Sequence, residues 1–254
     1  DLIEKVEFEE FDFDLFNGKF RSIQYIPGVR ANQEIVFSFQ DYPLLHDVQI
    51  QFDRYKNFEY KINSEQSNIF PVNGFLRKWL IDEFKIISNI EDLQFNLIEG
   101  FGMTIKLGSE ISLYQVGYGV TQLLPIILQI ALFDNSIFII EEPEANLHPA
   151  LQSKVADMFM EAIKEFNIQI IVETHSEYFI RKLQYLTAKK EISPADTQIY
   201  YFYPPDDVPE GENQIYPINI QEDGSLSKNF GKGFFDEAGN LDLLLYQMTQ
   251  SRKN

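Results

Sequence analysis

The sequence predicts an α/β fold of mixed α+β character, with a central parallel sheet and an added antiparallel, β-rich region. Three observations predict it. Ile137-Phe138-Ile139-Ile140 is a bare apolar run, the composition of a strand covered on both faces. That run, an amphipathic helical stretch and a second β-rich run from Ile168 to Val172 follow in direct succession, so 137–172 reads as a βαβ crossover. The first hundred residues instead alternate apolar and polar positions, as in Val6-Glu7-Phe8-Glu9 and Ile35-Val36-Phe37-Ser38-Phe39. Such period-2 runs are half-buried antiparallel strands.

The elements follow in order. After Asn73-Gly74, apolar residues at 75, 76, 79, 80 and 84 give a helix near 74–87. Leu93 to Leu113 reads as short strands broken at Gly100, Gly102 and Gly108. Leu123 to Phe133 is apolar on nearly every side and is expected to be a buried helix, with Pro125 in its first turn, where a proline is tolerated. In the crossover, Leu151, Val155, Met158, Ala162, Ile163 and Phe166 form a stripe at helical period, and Pro149 suits the first helical position. Strands Ile199 to Tyr203 and Ile215 to Ile220, parted by a Pro/Asp/Glu loop, and an amphipathic helix near Leu241 to Met248 complete the chain. The organisation is therefore a β-rich part over 1–115, a core over 116–186 and a C-terminal part over 187–254.

Composition narrows the function. The 254 residues carry 39 acids against 21 bases, a net charge of −18, so the average surface repels a phosphate backbone and nucleic acid enters only indirectly. The absence of cysteine excludes thiol nucleophiles, zinc–thiolate sites and disulfides, and fits a cytoplasmic home. Three histidines are too few for a His-rich metal site. No apolar run reaches the ~20 residues that span a bilayer, and no membrane association is expected.

Ligands of open parallel sheets bind beyond the carboxyl ends of the strands. Here those ends read Glu141-Glu142-Pro143-Glu144 and Glu173-Thr174-His175-Ser176. One carboxylate of an adjacent pair can hold Mg2+ while its neighbour polarises a water. An isolated Glu-Glu pair also reads as a solvated strand end; His175 at the same edge strengthens the chemical reading. Acids 141 and 142 and imidazole 175 are accordingly expected to share one rim. Val116-Gly117-Tyr118-Gly119-Val120-Thr121-Gln122 leads into the buried helix. Its glycines allow a close backbone approach, Thr121 can cap the helix, and the freed N–H groups make an anion site. No Gly-x-Ser-x-Gly turn exists, which argues against acyl transfer.

Together these motifs resemble the nucleotide-binding core of ABC-type ATPases, a P-loop NTPase fold, and most closely the prokaryotic AAA ATPases grouped with SMC, RecF and the overcoming-lysogenization-defect nucleases. Gly117 to Gln122 resembles the signature motif, Ile137 to Glu142 the Walker B strand, Asn146-Leu147-His148-Pro149 the D-loop, and Thr174-His175-Ser176 the switch-histidine loop. Tyr25-Ile26-Pro27-Gly28-Val29-Arg30 and Gly231-Lys232-Gly233-Phe234-Phe235-Asp236 resemble flanking segments of such proteins. The resemblance implies that Glu141 organises Mg2+, Glu142 is the general base, and His175 senses the γ-phosphate of ATP. It places Gly117, Gly119, Thr121 and Gln122 against a nucleotide held by the opposite protomer, and Asn146, Leu147 and His148 at the dimer contact. It further implies a head-to-tail homodimer or ATPase-type oligomer and a coupled effector, such as a nuclease in nucleic-acid processing or phage defence.

Two departures concern residue type: glutamate stands at the first Walker B acid, and the signature lacks a serine, leaving Thr121 as the hydroxyl. A third is larger. No Gly-x-x-x-x-Gly-Lys-[Ser/Thr] occurs in the 254 residues, and Gly231-Lys232-Gly233 lacks the spacing. The resemblance places that Walker A loop before Asp1, on a preceding segment or another chain. Residues 1–254 alone are therefore expected not to hydrolyse ATP at a meaningful rate. Two other readings stand beside the ATPase: a metal-dependent nuclease using Glu141, Glu142, Glu144 and His175, and a catalytically inactive interaction scaffold.

Overall fold

The structure is a computed structural model that describes residues 22–28, 37–38, 74–88, 93–98, 102–107, 111–112, 117–209, 211, 213–231 and 233–251. The expected strand at Val6 to Glu9 lies outside these residues, as do Val29, Arg30, Gly100, Gly108, Val116 and Lys232. The backbone forms two compact units, Asp1–Leu147 with Met158–Thr174 and His148–Asp157 with His175–Asn254.

In the first unit, β1 (Ser22–Ile26) is followed by the short β2 (Phe37–Ser38) and the antiparallel strands β3 (Leu93–Ile98), β4 (Gly102–Leu107) and β5 (Ile111–Ser112). β4 pairs antiparallel with β2, β3 and β5, as the alternating pattern predicts. Gly102 begins β4, opposite Ile98 and Ser38, and does not break the strand. Helix α1 (Tyr118–Leu132) then leads into β6 (Ser136–Glu141), helix α2 (Pro149–Phe166) and β7 (Gln169–Glu173). The strand order is β1-β6-β7, and all are parallel. β6 lies in the middle and buries Ile137, Phe138 and Ile140, which is why its run has no polar alternation. Helix α2 starts at Pro149, as its missing N–H predicts.

Two local expectations are corrected. The helix expected near 74–87 begins as an α-turn at 74–76, continues as a π-helix over Arg77–Glu83 and ends there. Its wider turn, with Phe84 N–H donating to Trp79 C=O at 3.2 Å, brings both Trp79 and Leu80 into the interior. Phe75 meets Phe166 edge-on at 5.1 Å and Trp79 lies 5.4 Å from Phe84, so aromatic packing fixes this segment against the first unit. The second correction concerns α1, which starts at Tyr118, so Pro125 falls in its interior and not in its first turn. Every residue from Thr121 to Ala131 is buried. Packing on all sides sustains the helix despite the backbone donor that proline lacks.

The second unit contains α3 (Glu177–Ala188), the antiparallel hairpin β8 (Ile199–Phe202) and β9 (Ile215–Ile218), and α4 (Glu237–Ser251). Tyr201, Tyr203, Tyr216, Phe230, Phe234 and Phe235 form one aromatic cluster, and the Arg181 guanidinium lies 4.7 Å over the Phe235 ring. Gly224, at φ +82°, lets a turn press on α3: a Cβ there would stand 2.6 Å from the Gln184 carbonyl oxygen. α4 is longer than its apolar run predicts, and Leu241, Leu244, Leu245 and Met248 are exposed on it. Among the described residues no helix is long and apolar enough to cross a membrane.

The core assignment has a direct test. Phe138→Ala, at a fully buried site on the central strand, is expected to cost about 3–5 kcal/mol in urea unfolding.

Candidate functional site at the carboxyl edge of the parallel sheet

Parallel pairing decides what meets at the sheet edge. Ile26 stands opposite Ile140, Ile140 opposite Val172 and Glu141 opposite Glu173. The three chains therefore emerge side by side as Pro27-Gly28, Glu142-Pro143 and Thr174, at the edge where ligands of parallel sheets bind.

Glu141 is held at both carboxylate oxygens. The Tyr25 hydroxyl donates to Oε1 at 2.5 Å, and the Gly28 N–H donates to Oε2 at 3.0 Å. The hydrogen bond to Glu141 pushes the Tyr25 phenol up to about 12 from its usual 10.0, aided by burial and by the charges of Glu141 and Glu173. Tyr25 nevertheless keeps about half of its surface exposed at the edge (48%).

Glu142 has a different environment. Its N–H donates to the Glu173 carbonyl at 2.9 Å, extending the β6–β7 ladder by one rung, and its backbone then turns left-handed at φ +42°. Six non-glycine residues have positive φ among the described residues. Lys85, Asn167 and Lys190 lie within two residues of a helix end, where a left-handed residue is ordinary, and Asn135 is of a residue type that adopts this region readily. Glu142 and Asn146 bracket the turn after β6. A left-handed glutamate costs about 1–2 kcal/mol, and such strain concentrates at functional sites. The Glu142 side chain is exposed.

The turn is locked from inside. The Ala145 N–H donates to the Glu142 carbonyl at 3.0 Å, and the Leu147 N–H to the Glu144 carbonyl at 3.1 Å. Glu144 is buried and accepts from the Thr174 hydroxyl at 2.7 Å. Gly119 closes the turn from the α1 side: a Cβ there would stand 2.8 Å from the Asn146 carbonyl oxygen and 3.0 Å from Leu147 Cδ2. The glycine pair thus has a packing reason for at least one member.

The structure brings Glu141, Glu142 and Glu173 to one edge, and Gly119 to Asn146 and Leu147. Gly117 is the exposed cap of α1 and offers no side-chain bond. Contrary to the sequence expectation, Thr121 does not cap α1: it lies inside the helix, which starts at Tyr118, and its side chain and that of Gln122 are buried. His148 and His175 open the segments of the second unit. His148 Nδ1 accepts the Ala150 N–H at 3.3 Å, so this imidazole caps α2, and it is exposed. His175 is exposed and follows Glu173 by two residues. Ser176 caps α3, accepting the Phe179 N–H at 3.1 Å and donating to Gln152 at 2.6 Å; this accounts for the serine without catalysis. Sequence reasoning missed the Tyr25 hydroxyl, the Gly28 N–H and the Thr174 hydroxyl. Tyr25 and Gly28 lie in a segment singled out only as a resemblance, and no local pattern assigns its strand to β6.

An AAA ATPase domain model matches residues 12–180. The chain belongs to the AAA ATPase domain family. The family brings with it the P-loop NTPase fold, and the matched stretch carries the whole β1-β6-β7 sheet. A second model, a protein family of unknown function (DUF3696), matches residues 192–243, which include β8, β9 and the aromatic cluster. The two together are typical of the overcoming-lysogenization-defect, SMC and RecF-like AAA ATPases. No curated protein matches the sequence.

Two outcomes follow. Gly119→Ala is expected to cost about 1–3 kcal/mol in urea unfolding, because its methyl group displaces the turn through Asn146 and Leu147. The Tyr25 proton is held longer in the folded chain than in the unfolded one. Its contribution to stability is thus complete below pH 10.0 and is lost as the pH rises toward 12. In an ultraviolet titration, wild type and Tyr25→Phe are expected to show equal tyrosinate absorbance at pH 11; they separate by one of the 13 tyrosines only above about pH 12.

Proposed function

We propose that this ATPase module binds ATP with Mg2+ at the carboxyl edge of β1, β6 and β7 and hydrolyses it within a head-to-tail dimer that drives an effector. One observation carries the reading: two adjacent carboxylates leave the central strand in unlike environments. Glu141 is oriented by two donors, and Glu142 is exposed on a strained left-handed backbone.

The donor set fits the metal. Mg2+ takes hard oxygen ligands and is held by one or two carboxylates together with substrate phosphates and water. Among the described residues no group of three or more His, Asp or Glu forms a protein cage, whereas Glu141 offers a fixed carboxylate at the edge. When bound, the metal neutralises charge on the β- and γ-phosphate oxygens. Glu142, on the next residue and turned out by its left-handed backbone, accepts the proton of the attacking water. The Gly117 turn presents the N-terminal N–H groups of α1 to phosphate oxygens of a nucleotide on the partner protomer. His175 senses the γ-phosphate, and Asn146, Leu147 and His148 face the partner. These last roles rest on the resemblance of their motifs. Catalysis is then positioning and electrostatics, with little covalent work for the protein.

The environment of Glu144 disfavours the nuclease alternative: its buried side chain is engaged by Thr174, which removes the third acid of that site. Effector coupling and a role in phage defence rest on the resemblance to the overcoming-lysogenization-defect, SMC and RecF-like group, of which the two family matches together are typical.

In the full-length protein, Glu142→Gln is expected to lower ATP turnover roughly 10²–10⁴-fold while leaving ATP binding intact. Residues 1–254 alone are expected to turn over no ATP. Unchanged turnover in Glu142→Gln, or a full-length protein that binds no ATP, would overturn the proposal.

A further inference from the structure

A carboxylate that meets a metal must present the right edge of its two oxygens, and at a strand end the residue's own backbone does not ensure that. Each oxygen of Glu141 has two acceptor positions. The Tyr25 hydroxyl takes one on Oε1 at 2.5 Å and the Gly28 N–H one on Oε2 at 3.0 Å, so the remaining positions are fixed in direction. Both donors come from the β1 side, and Tyr25 is placed there by register, opposite Ile139 and two residues before Pro27.

The type of donor matters as much as its place. A lysine or arginine at position 25 would orient Glu141 and also cancel its charge. A phenol orients the carboxylate and leaves that charge for a cation. Both oxygens are engaged before any ligand arrives, so less side-chain freedom is left to lose on binding.

We propose that Tyr25 is a positioning residue for the metal-holding carboxylate. Its hydroxyl fixes Glu141 in the orientation in which the acid accepts a divalent cation shared with nucleotide phosphates. This rests on the ATPase reading above.

The test uses the full-length protein with Mn2+ as the spectroscopic probe and a non-hydrolysable ATP analogue, read by electron paramagnetic resonance. Tyr25→Phe removes one hydroxyl from a half-exposed ring and keeps the ring itself, and circular dichroism checks that each variant is folded. Tyr25→Phe is expected to bind Mn2+ roughly 10-fold more weakly, with the metal-free affinity for the analogue unchanged. In a Glu141→Gln background the same substitution is expected to make no further difference, because Tyr25 acts only through that carboxylate. As a second measurement, urea unfolding of the metal-free single and double variants is expected to show coupling between the two positions. Wild-type Mn2+ affinity in Tyr25→Phe, or an equal loss in both backgrounds, would overturn the role of Tyr25 alone. Failure of the wild-type protein to bind Mn2+ with the analogue would overturn the ATPase reading, and the positioning role with it.

Discussion

The parallel pairing of β6 with β1 on one side and β7 on the other is the constraint from which the site follows. Parallel strands that end in register deliver their next residues to a single edge. Here that edge receives Gly28, Glu141, Glu142, Glu173 and Thr174. A one-residue slip of β1 would turn Tyr25 to the other face and remove the hydroxyl from Glu141. The buried Ile137, Phe138 and Ile140 oppose such a slip, since core contacts on both faces specify the register. The same pairing that stabilises the sheet therefore sets the chemistry at its rim.

The two glutamates differ in environment through the backbone more than through sequence. Glu141 is still in the strand, where a neighbouring chain can supply donors. One residue later the ladder has spent its last rung on Glu173, and the left-handed turn at Glu142 redirects the chain into a short, internally bonded loop. Buried Glu144, bonded to Thr174, and the close approach of Gly119 keep that loop in place. The three acids of Glu141-Glu142-Pro143-Glu144 thus have three fates: oriented, strained and exposed, or buried.

Legibility in the sequence followed the range of the interaction. The βαβ unit was readable because a strand covered on both faces has no polar alternation, and because Pro149 and the stripe from Leu151 to Phe166 mark one helix. The strands at Ile199 and Ile215 were readable from their β-rich runs and the loop between them, whereas their pairing came from the structure. Position 125 misled, because a proline signals a helix start only when the helix is not held by packing on every side, and α1 is buried from Thr121 to Ala131. The π-helix at Arg77–Glu83 was hidden, since the packing that holds this segment, with Phe75 against Phe166 and Trp79 and Leu80 buried, is a tertiary fact. In the candidate site, Glu141 and Glu142 were visible from a carboxylate pair at the end of an apolar run. The partners of Glu141 were not, because Tyr25 lies 116 residues away and only sheet pairing joins them.

The most direct test of the central claim replaces Mg2+ by Fe2+ in the presence of ATP and adds peroxide, so that hydroxyl radicals cut the chain beside the bound metal. The account predicts cleavage confined to the neighbourhoods of Glu141–Glu142 and Glu173–Thr174, dependent on ATP and lost in Glu141→Gln. Cleavage elsewhere in the chain, or the same pattern without nucleotide, would contradict it.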